Sequence, residues 1–292
     1  MICDPGFFGS KTLPIIDIDR STLEKLAMKS SSMGLTVPGV QKKLSLHLSD
    51  DGSSRLTLVG YPAGYILKPQ TEDFECLPEA EDLVMDIADM MGVKTAPHGL
   101  IKIGNDYVYI TKRVDRANNN VYAMEDFCQL SGRLTQDKYR GSYERCAGII
   151  REYSSMLGFD LSELYMRLVV CFMTGNSDMH LKNFSLIEKN PGSRDFVLSP
   201  AYDLLPVNVV MPEDKEETAL TLNGKKARLR RRDFLAYADI IGMPQKSAEN
   251  IIDSVIKKKS KAIALCESSY ISKEMKKAMI RLIEERTDRL MK

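Results

Sequence analysis

The chain has 292 residues, 43% of them hydrophobic, enough for one large domain or two lobes around a sizeable core, which excludes a disordered chain. Its 41 basic side chains against 40 acidic ones give a formal charge of +1, so no global field draws it to nucleic acid or an anionic membrane. Any such contact needs a local patch. The six cysteines, at positions 3, 76, 128, 146, 171 and 266, form no C-x-x-C pair, which argues against a disulfide framework or a zinc cage and for reduced, mostly buried thiols. The first residues lack a basic segment followed by an apolar one, and the longest fully apolar run, 168–173, is too short to span a bilayer. The expectation is a cytoplasmic protein with no membrane contact.

In chain order, Ser21-Thr22-Leu23-Glu24 reads as a capping box opening a short helix. Residues 30–39 form a loop, because Gly34 and Gly39 free the backbone and Pro38 removes a donor. The alternation from Lys43 to Leu48 predicts a strand, a turn follows at 50–53, and Arg55 to Val59 is the partner strand. A third strand from Gly64 to Lys68 ends in a lysine before Pro69, and a helix runs from about Pro78 to Met91. Leu100 to Ile103 and Tyr107 to Thr111 make a second hairpin around Gly104-Asn105-Asp106. Helices are expected at 124–130, 142–156, 161–174 and 231–241, with two or three more between 247 and 291. The 161–174 segment is apolar nearly all round, so it belongs at the centre of the larger lobe.

That helix delivers the stretch Gly175-Asn176-Ser177-Asp178-Met179-His180-Leu181-Lys182-Asn183-Phe184, with Asp203 following in Ala201-Tyr202-Asp203-Leu204-Leu205. A carboxylate with an amide five residues further on matches the kinase catalytic-loop spacing, in which Asp takes the acceptor hydroxyl's proton and Asn holds a magnesium ion. A second Asp downstream completes a set of hard oxygen ligands of the kind Mg²⁺ takes. Upstream, a small-residue loop, a hairpin, a strand with a terminal Lys and a helix with acidic residues repeat the kinase N-lobe plan. In it Lys68 reaches the phosphates and Glu79 or Glu81 is its partner; the other reading is a solvent-exposed lysine on an edge strand and acids that only suit a helix N-terminus. The loop is not a Walker A sequence, since Gly34-x-x-x-x-Gly39 continues with Val40-Gln41 where Lys-Ser/Thr is required.

Several residues carry two readings. His180 either orients Asp178 or its loop, or ligates a metal, but no second His or Cys lies at ligand spacing for zinc. Lys182 either neutralises the γ-phosphate or is a solvated lysine. Residues 225–232, with six basic side chains in eight positions, are either a solvated face, a phosphate-backbone contact or a dock for an acidic partner.

With these residues laid out, the chain resembles the HipA-like serine/threonine kinases of bacterial toxin–antitoxin modules. The similar elements are Val37-Pro-Gly-Val-Gln-Lys-Lys-Leu-Ser45, Ile66-Leu-Lys-Pro69, Lys112-Arg-Val-Asp-Arg116, Met124-Glu-Asp-Phe-Cys-Gln129 with Lys138-Tyr139, Gly175 to Phe184, and Leu198-Ser-Pro-Ala-Tyr-Asp-Leu204, in the family's order. The family's β-rich N-terminal subdomain has no room here, so the resemblance is to the short HipT-like branch, whose missing subdomain is a separate small protein.

The resemblance implies an α+β, bilobal protein-kinase-like fold, with a small β-rich N-lobe over 1–115 and a larger, mostly helical C-lobe over 116–292. It implies ATP and Mg²⁺ as cofactors, Asp178 as base with His180 and Lys182 beside it, and Asn183 and Asp203 as metal ligands. Lys68, Gly39 and Gln41 would serve the nucleotide phosphates, and the backbone of Lys112, Arg113 and Val114 the adenine. Thr36 stands at the family's autophosphorylated serine, with Ser30, Ser31 and Ser32 as further candidates. The family's hinge usually reads Glu-Arg-Phe-Asp-Arg, so Lys112 and Val114 remove any side-chain contact from that Glu. Implied partners are an aminoacyl-tRNA synthetase as protein substrate and small HipS-like and DNA-binding HipB-like antitoxins, with DNA met only through a partner. A small-molecule kinase, which shares D-x-H-x-x-N, and a weakly active binding module in an antitoxin–DNA complex remain as alternatives.

Overall fold

The computed structural model describes residues 3, 5–9, 13–16, 43–49, 55–59, 63–117 and 120–292. The chain divides into two compact units, Met1–Asp82 with Ala96–Asn119, and Leu83–Thr95 with Asn120–Lys292. The expected short helix opening at Ser21, the loop at 30–39 that includes Gly39, and Gln41 after it lie outside the described residues.

The first unit is built on a six-stranded sheet, ordered Ile15–Ile16, Arg55–Val59, Leu44–Leu48, Tyr65–Lys68, Asp106–Lys112, His98–Ile103. All neighbours are antiparallel except the first pair. Register places Leu44 opposite Leu67 and Leu67 opposite Ile110, so one apolar row crosses three strands. These three join Leu46, Leu56, Tyr65, Ile101 and Val108 in one buried cluster, together with Cys3 and Phe8. Because side chains alternate along a strand, Lys68 and its neighbour Tyr109 take the other face. The chain start is less irregular than its sequence suggests. Cys3 N–H donates to the Leu100 carbonyl at 2.9 Å, and Phe8 packs 5.7 Å from the Tyr65 ring. The helix Leu77–Met91 contains the dividing point between the units.

In the second unit the helix Leu157–Thr174 buries every residue from Arg167 to Thr174, as its apolar character requires. It starts four residues before the expected position. Ser154 Oγ donates to Asp160 at 2.6 Å and accepts from Met156 N–H at 2.9 Å, which breaks the expected 142–156 helix. The preceding helix therefore spans Tyr143–Tyr153, with Ser142 as its N-cap. Asp160 also takes the Leu198 amide at 2.7 Å, fixing the first turn to a strand.

Another expectation also fails: Met124–Asp126 is a strand, not the first turn of a helix, pairing with Ser185–Glu188 in a three-stranded sheet completed by Phe196–Leu198. Asp126 then caps the short helix Phe127–Leu130 in a capping box with Gln129. The C-terminal region forms Arg231–Ile240, Gln245–Lys257, Lys259–Ser268 and Lys273–Met291. At the first break in the tail, Lys258 Nζ donates to the Met90 and Met91 carbonyls at 3.1 and 2.8 Å, where a helix end favours a cation. The six cysteines are free thiols, all buried except the half-buried Cys76. Among the described residues no helix is long and apolar enough to cross a membrane.

Candidate active site

In the second unit the central helix ends on Gly175, whose φ of 71° is left-handed. The Asn176 amide turns back to the Cys171 carbonyl at 2.8 Å, which is the Schellman way of satisfying a helix end. Glycine suits this position, because its φ is left-handed and an added Cβ would push on the end of the Leu282 side chain. The chain leaving this cap is then fixed by its own polar groups. Asn176 Oδ1 accepts the Asp178 amide at 3.2 Å, and Ser177 Oγ donates to Asp214 at 2.7 Å. The Asp178 carbonyl accepts from His180 N–H at 2.8 Å and from Asn183 Nδ2 at 2.9 Å.

This brings Asp178, His180 and Asn183 together. Asn183 is buried and, with its Nδ2 on the Asp178 carbonyl, its Oδ1 makes no hydrogen bond among the described residues. His180 is buried too, with Nε2 4.0 Å from Asp178 Oδ2. The Asp178 carboxylate remains 43% exposed. Lys182 points elsewhere: Nζ donates to Asp126 at 2.6 Å, tying the loop to the cap of helix Phe127–Leu130.

Asp203 stands at φ 62°, left-handed backbone that a non-glycine residue rarely adopts and that clusters at functional sites. Its neighbour Tyr202 donates to the Lys182 carbonyl at 3.1 Å and bonds Ser185 Oγ at 2.5 Å, which ties this segment to the Asp178 loop. Burial pushes the Tyr202 phenol well up, so it stays a donor. Asn183 Oδ1 and the Asp203 carboxylate are the hard oxygen donors that suit Mg²⁺.

In the first unit, Lys68 is buried and its Nζ is paired with Glu81, not Glu79. The same ammonium lies 5.3 Å from the Tyr109 ring centre. Glu79 is instead pushed up by burial, with nearby carboxylates adding to the shift. Around the expected adenine stretch, Lys112 N–H donates to Pro97 and Arg113 N–H to Gly64, each at 2.9 Å. Val114 N–H makes no hydrogen bond among the described residues. Arg113 forks onto Asp115 at 2.9 and 2.7 Å, and Arg116 reaches the same carboxylate at 2.6 Å. Thr36, Ser30, Ser31 and Ser32 lie outside the described residues.

Two neighbours of the loop escaped the sequence reading. Tyr139 Oη donates to Asp178 Oδ1 at 2.7 Å, and Asn208 N–H bonds the Gly175 carbonyl at 3.0 Å. Lys138-Tyr139 stands among the shared elements, yet nothing in its spacing ties it to Asp178. Half of the six basic side chains in 225–232 are answered internally: Lys225 pairs with Asp233, Lys226 with Glu216 and Arg231 with Asp253.

The description "HipA-like C-terminal domain" matches residues 35–263. A Sinorhizobium fredii protein named "Putative kinase Y4dM" is 32% identical over 226 residues, covering 72% of this chain and 54% of its own length. A Haemophilus influenzae protein named "Putative kinase" is 25% identical over 270 residues, 82% of this chain and 76% of its own. Among solved structures, Shewanella oneidensis HipA, from a complex with HipB and operator DNA, superposes with a TM-score of 0.74 at 17% identity, over 88% of this chain and 65% of that one. The Helicobacter pylori proinflammatory kinase CtkA gives 0.59 at 17% identity, over 80% of this chain and 90% of that one. This chain thus spans about half the length of the Sinorhizobium relative. The fold is the bilobal, kinase-like α+β fold of these structures. By the match over residues 35–263, the chain belongs to the HipA-like C-terminal domain family.

Proposed function

We propose that this chain is an ATP- and Mg²⁺-dependent protein serine/threonine kinase, the toxin of a HipBST-type toxin–antitoxin system. The observation that carries the reading is the buried Lys68–Glu81 pair. A buried ion pair stabilises a fold little better than apolar residues of similar volume, so its presence asks for a use. In kinases such a lysine meets the α- and β-phosphates and the glutamate holds it in place.

Asp178 receives the proton of the acceptor hydroxyl, and His180 braces the loop behind it. Asn183 through Oδ1 and Asp203 through its carboxylate would hold Mg²⁺, which would supply charge neutralisation for the nucleotide phosphates. Val114 N–H, the unengaged amide of the 112–114 stretch, meets the adenine. Lys182, tied to Asp126, acts by holding the loop. Little covalent work is left to the protein, so catalysis is positioning and charge neutralisation.

The Shewanella structure contains HipB and operator DNA, which supports a HipB-like partner here and DNA met through it. A small HipS-like protein is the further partner, and an aminoacyl-tRNA synthetase the first candidate substrate.

The test is transfer of label from γ-labelled ATP with Mg²⁺. The protein acquires phosphate on one of Ser30, Ser31, Ser32 or Thr36, and Asp178→Ala or Asp203→Ala abolishes it. Near wild-type transfer by either variant removes the site assignment. Label found in metabolites and never in protein makes it a small-molecule kinase. Phosphoproteomics after inducing wild type against Asp178→Ala names the substrate.

A further inference from the structure

The backbone of Asp178 is held at three hydrogen bonds: its amide on Asn176 Oδ1, and its carbonyl on the His180 amide and Asn183 Nδ2. Its carboxylate is 43% exposed, and which way it points depends on what its two oxygens meet. Tyr139 meets one of them. Its hydroxyl donates to Oδ1 at 2.7 Å, in the range of a charge-assisted bond.

The donor is itself anchored from three sides. The Tyr139 ring meets the His180 ring edge-on, with centres 5.0 Å apart and planes at 79°. Lys138 Nζ covers the ring at 4.9 Å. The Lys138 carbonyl accepts the Leu181 amide at 3.1 Å, which fastens this segment to the loop it serves. The phenol is only partly desolvated, since the residue is 46% exposed, but that partial burial and then the bond to Asp178 push it above its ordinary value, so it is protonated near neutral pH. A tyrosine placed over the site only to block it would need freedom to leave. This one is held by ring, backbone and hydroxyl together.

We propose that Tyr139 is a positioning residue for Asp178: its hydroxyl holds Oδ1 so that Oδ2 is the oxygen aimed at the acceptor. This rests on the kinase reading above. In the step it serves, the acceptor O–H proton passes to Oδ2, the acceptor oxygen bonds to the γ-phosphorus, and the bond to the departing ADP oxygen breaks.

Tyr139→Phe removes the hydroxyl and keeps the ring against His180, so a packing role alone leaves the rate unchanged. The readouts are the first-order rate of self-phosphorylation by the full chain at saturating ATP and the ATP concentration giving half that rate. We expect Tyr139→Phe to lower the maximal rate about tenfold, the scale of losing a hydrogen bond to a charged group, with half-saturation unchanged. Asp178→Asn lowers the rate further, and adding Tyr139→Phe to it costs nothing more, because the tyrosine acts through that carboxylate. A wild-type or faster rate in Tyr139→Phe, an additive double variant, or phosphate found on Tyr139 overturns the inference and leaves the kinase reading standing. A wild-type chain that transfers no phosphate, or full transfer by Asp178→Asn, overturns both.

Discussion

Asn183 Nδ2 donates to the main-chain carbonyl of Asp178 at 2.9 Å, and one side chain thereby closes the loop that carries the proposed base while its own Oδ1, the proposed Mg²⁺ ligand, makes no hydrogen bond among the described residues. The two roles of this amide predict a split phenotype. Asn183→Ala loses both the closure and the ligand, so transfer falls and the Mg²⁺ concentration for half-maximal rate rises by at least about tenfold, as for losses around other metal sites. Asn183→Asp restores an oxygen ligand but not the donor, and sets a second negative charge beside Asp178. It therefore recovers Mg²⁺ dependence better than rate. Titrating the rate against Mg²⁺ separates the two, and an unshifted Mg²⁺ curve in Asn183→Ala removes Asn183 from the metal site.

The Lys68–Glu81 pair separates stability from function in a different way. Removing one partner takes the counter-charge of this pair from the other buried group, so Lys68→Met or Glu81→Leu each destabilises by about 3–5 kcal/mol. The double variant replaces the pair by apolar volume and regains most of that stability in urea unfolding, yet does not regain phosphate transfer. If the double variant regains transfer along with stability, the lysine has no work on the nucleotide.

Much of this was legible in the residues. Alternation placed Leu44 and Leu46 in a core, and the D-x-H-x-x-N spacing put Asp178 beside Asn183. What escaped lies in pairings between distant segments. Tyr139 reaches Asp178 from 39 positions away, and Asp126 holds Lys182 from 56. Glu79 and Glu81 stand two apart on one helix, so they point to different sides, and only the packed sheet decides which meets Lys68. The strand Met124–Asp126 has too few residues to show a period, and its pairing with Ser185–Glu188 outweighs the helical composition that follows it. At Ser154 a single hydroxyl shared between Asp160 and Met156 ends one helix, a polar competition that hydrophobic periodicity cannot register.

Gly175 offers a controlled comparison with Gly132. Both have left-handed φ, 71° and 62°, but an added Cβ meets nothing within 4 Å at Gly132 and collides with Leu282 at Gly175. Gly132→Ala therefore carries only the backbone cost of about 1–2 kcal/mol. Gly175→Ala carries that and a repacking cost of about 1–3 kcal/mol, and it also shifts the cap from which the Asp178 loop departs. Urea unfolding of both variants, with phosphate transfer measured alongside, checks this. Equal destabilisation of the two says that Leu282 yields without cost.

Glu217 sets a pH dependence of stability at the C-terminal helix. Its buried carboxylate takes Arg289 at 2.7 and 2.9 Å and the Leu229 amide at 2.9 Å, with Arg286 Nη1 at 3.6 Å. Burial alone would raise its pKa, but the Arg289 and Leu229 hydrogen bonds and the two guanidiniums outweigh it and hold the carboxyl below its ordinary 4.5. A folded-state value below the unfolded one means that the unfolded chain takes the proton first as pH falls. The stabilisation is therefore complete above about pH 4.5 and is lost as pH drops through the folded value. Glu217→Gln removes the nearest counter-charge of Arg286 and Arg289 and leaves only the more exposed Glu285, 3.9 Å from Arg289, so near neutral pH it should destabilise by about 3 kcal/mol. Below pH 4.5 the wild type surrenders the same charge, so the gap between the two proteins closes as acid is added. Thermal or urea unfolding of both across that range decides the point: a gap that stays constant with pH means the Glu217 charge contributes nothing to holding Lys273–Met291 against the Leu229 segment.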